Sequence, residues 1–196
     1  MKKLLLVAIM LCFGCAYDAV RYSETQTDTQ LFRIRAVTRI GESAQHIAHG
    51  TGFLVETKYG LSIITAAHVL AGGYDRLEFQ DSNRNKLPIK YGQVRILPND
   101  IAVIEVRGGA KNPYRTAADP NTGAQISATG FPSAGDQFSP KGTVVDRRYK
   151  ADIDFRVGMS GGPVFNSSGE VIGMVSLIKT INGETFGIIS PISDLN

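Results

Sequence analysis

Gly158-Met159-Ser160-Gly161-Gly162-Pro163 is the stretch on which the fold turns. A serine set among glycines belongs to a tight turn, because glycine alone enters such backbone conformations without steric cost. The pattern G-x-S-x-G fits the strained strand-to-helix corner of an α/β sheet, and it fits a turn in an all-β chain equally well. A hydroxyl is a poor nucleophile at neutral pH and needs a neighbouring base, so the histidines separate the two. In the α/β arrangement the base follows the serine in the chain, whereas His46, His49 and His68 all precede Ser160. That arrangement also needs alternating helices, and sustained helical periodicity is absent beyond the first residues. The α/β reading fails.

Strand signals run in both directions from this turn. Leu31-Phe32-Arg33-Ile34-Arg35-Ala36-Val37 alternates with period two. Gly52–Val55, Leu61–Ile64, Arg76–Gln80, Leu87–Leu97 and Ile101–Val106 complete a first group of about six short strands. Gly108 to Gly123 (GGAKNPYRTAADPNTG) interrupts the pattern with glycine, proline and polar residues and reads as a connector. Gln125–Thr129, Gly142–Arg147, Ala151–Phe155, Gly162–Phe165, Val171–Ile178 and Thr185–Ile189 form a second group of about six. The expectation is an all-β chain in two similar halves, at 31–107 and 124–196, with the connector at 108–123.

The remaining N-terminal residues read as address rather than fold. Met1-Lys2-Lys3 is positive and Leu4–Phe13 is apolar but far short of the roughly 20 residues a spanning helix needs. Residues 1–15 are therefore expected to be a signal peptide, which implies export from a bacterial cytoplasm to the periplasm, the cell envelope or the medium. Gly14-Cys15 resembles the end of a lipoprotein signal, with Cys15 as the lipidated residue and a route to membrane attachment; cleavage after Ala16 is the alternative. Asp18 to Gln30 is polar, and 16–30 reads as a tether.

The 196 residues carry 21 basic and 18 acidic side chains, a near-balance that argues against a nucleic-acid partner. Both cysteines, Cys12 and Cys15, fall in the leader, so the body is expected to hold no disulfide and no cysteine metal site. His46 and His49 lack an evident third ligand, and no metal or organic cofactor is expected.

Three segments carry chemistry. Thr65-Ala66-Ala67-His68-Val69 ends an apolar strand in a histidine, whose proton affinity suits a general base. Asn99-Asp100-Ile101-Ala102 places an aspartate before a strand, where a carboxylate can orient that imidazole. The glycine turn lets the Gly158 and Ser160 backbone N–H groups converge where an oxyanion could develop.

TAAHV, NDIAVIEV and GMSGGPVFN, in that order, resemble the signature segments of trypsin-like serine peptidases. The likeness is greater to the bacterial disulfide-free branch, with HtrA-type proteases and glutamyl endopeptidases, and Gly50–Val55, Thr129–Pro132 and Phe186–Ile192 are similar to further strands of that branch. The resemblance spans about Leu31 to Ile192. It implies two six-stranded antiparallel β-barrels packed side by side (chymotrypsin-like), and a serine endopeptidase acting on protein or peptide substrates through an acyl-enzyme. It further implies Ser160 as nucleophile, His68 as base and acid, Asp100 as orienting carboxylate, and Gly158 and Ser160 as oxyanion donors. Ser176 would flank the substrate and support the aspartate, and Gly187 would wall the primary specificity pocket.

Several residues depart from the family. Met159 replaces an aspartate that in the digestive branch pairs with a freed N-terminus, so activation by N-terminal insertion is not expected. Val175 replaces a histidine that binds acidic side chains in glutamyl endopeptidases. The chain as given ends at Asn196, so the PDZ module of HtrA-type proteins is not expected. Asp154 lies six residues before the serine, where trypsin keeps its pocket aspartate, but Phe155 could narrow that pocket and Arg156 could neutralise the charge. A non-catalytic binding module on the same fold, or a surface scaffold, is the competing reading. The oligomeric state is not legible in the sequence.

Overall fold

The computed structural model describes residues 29–41, 44–133, 135–146 and 150–195. The leader with Cys15, and nearly all of the tether, lie outside the described residues.

The first unit is a seven-stranded antiparallel sheet. Its strands are β1 (Leu31–Ile40), β2 (Ala44–Thr57), β3 (Gly60–Ala66), β4 (Arg76–Gln80), β5 (Lys86–Leu87), β6 (Lys90–Leu97) and β7 (Ile101–Gly108). Spatial order is β5-β4-β1-β2-β3-β7-β6, so the sheet curls without a closing ladder. Side chains bridge its two ends. The Leu77 N–H of β4 donates to the Tyr91 hydroxyl of β6 at 3.2 Å, and the Phe79 and Tyr91 rings meet edge to face at 5.8 Å. The second unit is a closed six-stranded barrel of β8 (Gln125–Ala128), β9 (Lys141–Val144), β10 (Lys150–Asp152), β11 (Pro163–Phe165), β12 (Val171–Ile181) and β13 (Glu184–Pro191).

The all-β, two-unit expectation stands, with one barrel closed and the other a curled sheet of seven strands rather than six. The Leu87–Leu97 signal splits into β5 and β6 because Pro88 lacks an amide for the ladder. Ala151–Phe155 yields only a three-residue strand. Beyond Asp152 the chain tightens, the Phe155 N–H donating to the Ile153 carbonyl at 2.9 Å, and the Phe155 ring folds in against Gly187.

Each unit has its own apolar core, built on Phe32, Phe53, Ile63, Ile64 and Ile104 in the first and on Val144, Met159, Val164 and Ile172 in the second. The first core also takes in Phe131, Met174, Ile192 and Leu195 from the far half. The two units are therefore packed as one body. β1 shows why. Its apolar positions Phe32, Ile34 and Ala36 face the core as the alternation requires, but Leu31 and Arg33 on the other face are buried too. The Arg33 guanidinium stacks over Phe131 at 4.4 Å and donates to the Gly135 carbonyl at 2.8 Å, so the outer face of β1 is covered by a loop of the second unit.

Candidate active site

The site lies along this seam. β3 ends at Ala66 and a single 3-10 turn, Ala67–Val69, presents His68. Opposite it, Asn99 and Asp100 both adopt left-handed backbone conformations (φ 60° and 61°), which Asn and Asp tolerate better than most residues. The corner is held because the Ala67 N–H donates to the Asp100 carbonyl at 2.8 Å and the Ser190 hydroxyl donates to the Asn99 carbonyl. The carboxylate then has three donors. Oδ1 accepts the His68 backbone N–H at 2.9 Å, while Oδ2 accepts His68 Nδ1 at 2.8 Å and the Ser176 hydroxyl at 2.7 Å. With Nδ1–H given to the carboxylate, a neutral imidazole keeps its lone pair on Nε2.

Ser160 sits just after a turn closed by Met159 N–H donating to the Arg156 carbonyl at 3.0 Å. Its third residue is Gly158 with φ +96°, the sign that a type II turn demands there. The Val157 carbonyl accepts the Ser133 N–H at 2.9 Å. Because N–H and C=O of one trans peptide point opposite ways, this contact turns the Gly158 N–H away from Ser133. Neither the Gly158 nor the Ser160 amide donates a hydrogen bond among the described residues.

Both units fasten this turn. From the first, the Thr51 N–H donates to the Ser160 carbonyl at 2.8 Å, and the Thr51 hydroxyl donates to the Gly158 carbonyl at 3.0 Å while accepting the Phe131 N–H at 2.9 Å. From the second, the Gly161 N–H donates to the Val175 carbonyl at 2.7 Å. A Cβ at Gly161 would stand 2.1 Å from the Thr51 carbonyl oxygen, so this close approach requires glycine.

The Ser160 hydroxyl donates to the Ser176 carbonyl at 3.2 Å and makes no hydrogen bond to His68 among the described residues. His68 and Ser160 nevertheless line one cavity of about 250 Å³, with Phe155, Arg156, Val157, Val175, Ser176, Leu177 and Ile178. Val157, Leu177 and Ile178 are among the few large apolar side chains that remain exposed, and all three border this cavity. β11 pairs with β12 as far as Met174, and Gly161 and Gly162 bond the Val175 backbone, which leaves the edge of β12 from Ser176 onward open beside Ser160.

Other sequence-derived candidates fall as follows. Gly187 lies against the Phe155 ring. Asp154 is exposed and ion-paired with Arg156 at 2.9 Å, and it does not line the cavity. Met159 is fully buried in the second core, so an apolar side chain fills the place of the family's aspartate. His46 and His49 sit three apart on β2 and so project to opposite faces. No group of three His, Cys, Asp or Glu residues is placed to hold a metal among the described residues.

Sequence reasoning passed over Thr51 and Ser133, which hold the serine turn. The available signal was Thr51 itself, a hydroxyl between two glycines leading into the apolar run Phe53–Val55.

The model of the trypsin-like peptidase domain matches residues 50–174, a span containing His68, Asp100 and Ser160. The chain belongs to this family. A probable periplasmic serine endoprotease, DegP-like, of Halomonas elongata is 30% identical over 165 residues, covering 76% of this chain and 33% of the relative. The serine protease Rv3671c of Mycobacterium tuberculosis is 25% identical over 169 residues, covering 76% of this chain and 40% of the relative. The chain thus spans a third to two fifths of the length of these curated relatives. A crystal structure of the Rv3671c protease in its active form superposes with a TM-score of 0.67 at 21% identity, covering 86% of this chain and 80% of that one, which shows a shared fold.

Proposed function

We propose that this trypsin-like peptidase domain is a serine endopeptidase that hydrolyses peptide bonds through an acyl-enzyme. One observation carries the reading: the Ser176–Asp100–His68 hydrogen-bond chain opens on the cavity that also holds the Ser160 hydroxyl. A substrate strand added along the open edge of β12 would bring a backbone N–H to the Ser176 carbonyl. It would displace the Ser160 hydroxyl, which a χ1 rotation turns toward His68 Nε2; such contacts commonly tighten only when substrate binds. His68 then takes the proton as Ser160 Oγ attacks the carbonyl carbon, and Asp100 stabilises the imidazolium. The Gly158 and Ser160 N–H groups receive the oxyanion. The imidazolium protonates the departing amine, and water, deprotonated by His68, releases the acyl group by the same steps.

With Asp154 outside the cavity and paired to Arg156, whose cation borders it, the Phe155, Val175, Leu177 and Ile178 walls favour an apolar acyl-side residue over Lys or Arg. Export with periplasmic or envelope residence accords with the leader and with the periplasmic DegP-like relatives; attachment through Cys15 rests on the leader alone, with cleavage after Ala16 as the alternative. Ser160→Ala should lower kcat by about 10⁴- to 10⁶-fold on a casein-derived peptide and abolish fluorophosphonate labelling. Equal turnover by that variant would refute the mechanism. Absence of both turnover and labelling in the parent would leave a binding module on the peptidase fold.

A further inference from the structure

A second cavity, also about 250 Å³, shares no lining residue with the apolar one. It is lined by Arg33 and Arg35 of β1, His49 and Gly50 of β2, Gln80 of β4, Arg84, Phe131 and Ser133. Strand register builds it. Gln80, Arg33 and Thr51 stand side by side across β4, β1 and β2, and Glu78, Arg35 and His49 form the next row on the same face. Phe131 and Gly135 cover this face, the ring under the Arg33 guanidinium and the carbonyl accepting from it.

Positive charge in the cavity exceeds what the fold uses. Glu78 is taken up by Arg35, Arg76 and Lys86 at 2.7, 2.9 and 3.7 Å. Asp136, exposed, attracts Arg33 from outside the lining. Arg33 is only 9% exposed, yet its buried Nε–H has no acceptor. A charged donor left unpaired at that depth is unfavourable unless a ligand supplies the acceptor. Burial and the Arg84 charge both pull Arg33 below its ordinary range, and burial with Arg35 and Arg33 does the same to His49. Burial is the larger cause in both, and the neighbouring positive charges add to it.

Two residues of the cavity wall touch the serine turn. Gly50 abuts the Ser160 carbonyl, and the Ser133 amide holds the Val157 carbonyl in the serine turn. A substrate whose acyl side runs along β12 must carry its leaving-group side away from β12, past Gly50 and Ser133. At about 3.3 Å per extended residue, one of the first three residues beyond the cut reaches the arginines.

We propose that Arg33, Arg35, Arg84 and His49 form a carboxylate subsite for an Asp or Glu within the first three residues on the leaving-group side of the cleaved bond. The inference rests on the endopeptidase reading, so its test separates the two. Peptide libraries with Asp, Glu, Ala or Lys fixed in turn at those three positions are digested by the full chain, and products are followed by mass spectrometry. At one position the acidic peptides should be cut at least about tenfold faster than the Lys peptides, as a charge-assisted hydrogen bond supplies. The ratio should shrink in 0.5 M salt. It should fall severalfold in Arg84→Ala, an exposed change that leaves the core alone, and in Arg33→Met, and stay put in Lys179→Ala on the distant β12–β13 hairpin. Fluorescein-labelled versions binding to the Ser160→Ala chain provide a readout that needs no chemistry. Acidic preference in binding with no turnover by the parent would uphold the subsite and overturn the endopeptidase reading. Turnover or binding indifferent to the acidic residue, or a preference unmoved in Arg84→Ala and Arg33→Met, would sink the subsite.

Discussion

Thr51 makes or receives a hydrogen bond through every polar atom it has, and three of its partners belong to the serine turn or its neighbour Phe131. Replacing the hydroxyl by a methyl of equal size leaves the Phe131 N–H and the Gly158 carbonyl buried without that partner. Thr51→Val should therefore cost about 2–4 kcal/mol, read as a lowered urea midpoint at unchanged slope. Because the same hydroxyl fixes the peptide that follows the Gly158 amide, kcat should drop by about tenfold or more with KM little altered. A variant that loses stability but keeps kcat would show that the turn holds itself.

At the scale of the element, β4 is tied to β1 through Glu78, which accepts from Arg35 across the ladder and from Arg76 two residues back. Burial works to raise this carboxyl, but the Arg76 hydrogen bond and the charges of Arg35, Lys86 and Arg76 outweigh it and hold it below the ordinary glutamate range. A carboxyl depressed in the folded state stabilises the fold above its unfolded pKa, about 4.3, and loses that contribution as pH falls through the lower folded value. Glu78→Gln should thus lower Tm at pH 7, and the gap to the parent should close over the acid range below about pH 4. A constant gap across that range would mean Glu78 acts through packing alone.

Elements were also where the sequence was most and least legible. Apolar pairs and runs such as Ile63 with Ile64 and Ile101–Ile104 announce themselves because they are buried on both faces. His68, Asp100 and Ser160 stand out because each breaks a strand end or a glycine turn in a chemically recognisable way. Arg33 and Arg35 did not, since alternation along β1 marks them as outward and solvated. Only Phe131 and Gly135, about a hundred residues downstream, make that face an interior one. Likewise Phe155 continues an apolar pattern, and its departure from β10 depends on the bare backbone of Gly187, in a strand paired from elsewhere. Short-range pattern carries strands; it does not carry which outer faces a distant loop will cover.

For the whole molecule, the shared apolar cluster makes separate melting of the halves unfavourable. Calorimetry should show a single transition whose van't Hoff and calorimetric enthalpies agree. Two resolved peaks would mean the seam is weaker than Phe131, Met174, Ile192 and Leu195 suggest.

The final 3-10 turn, Ser193–Leu195, returns to the opposite unit, where the Lys58 amide and ammonium donate to the Leu195 and Asp194 carbonyls. Between the units, Tyr114 bridges to Val55 and Thr116 to Val171, so the connector itself is stitched to both units. A clasp of this kind outlives a cut in the backbone. An enzyme that nicked itself between positions 116 and 123 would run as two bands under denaturing conditions, yet remain one working particle in solution.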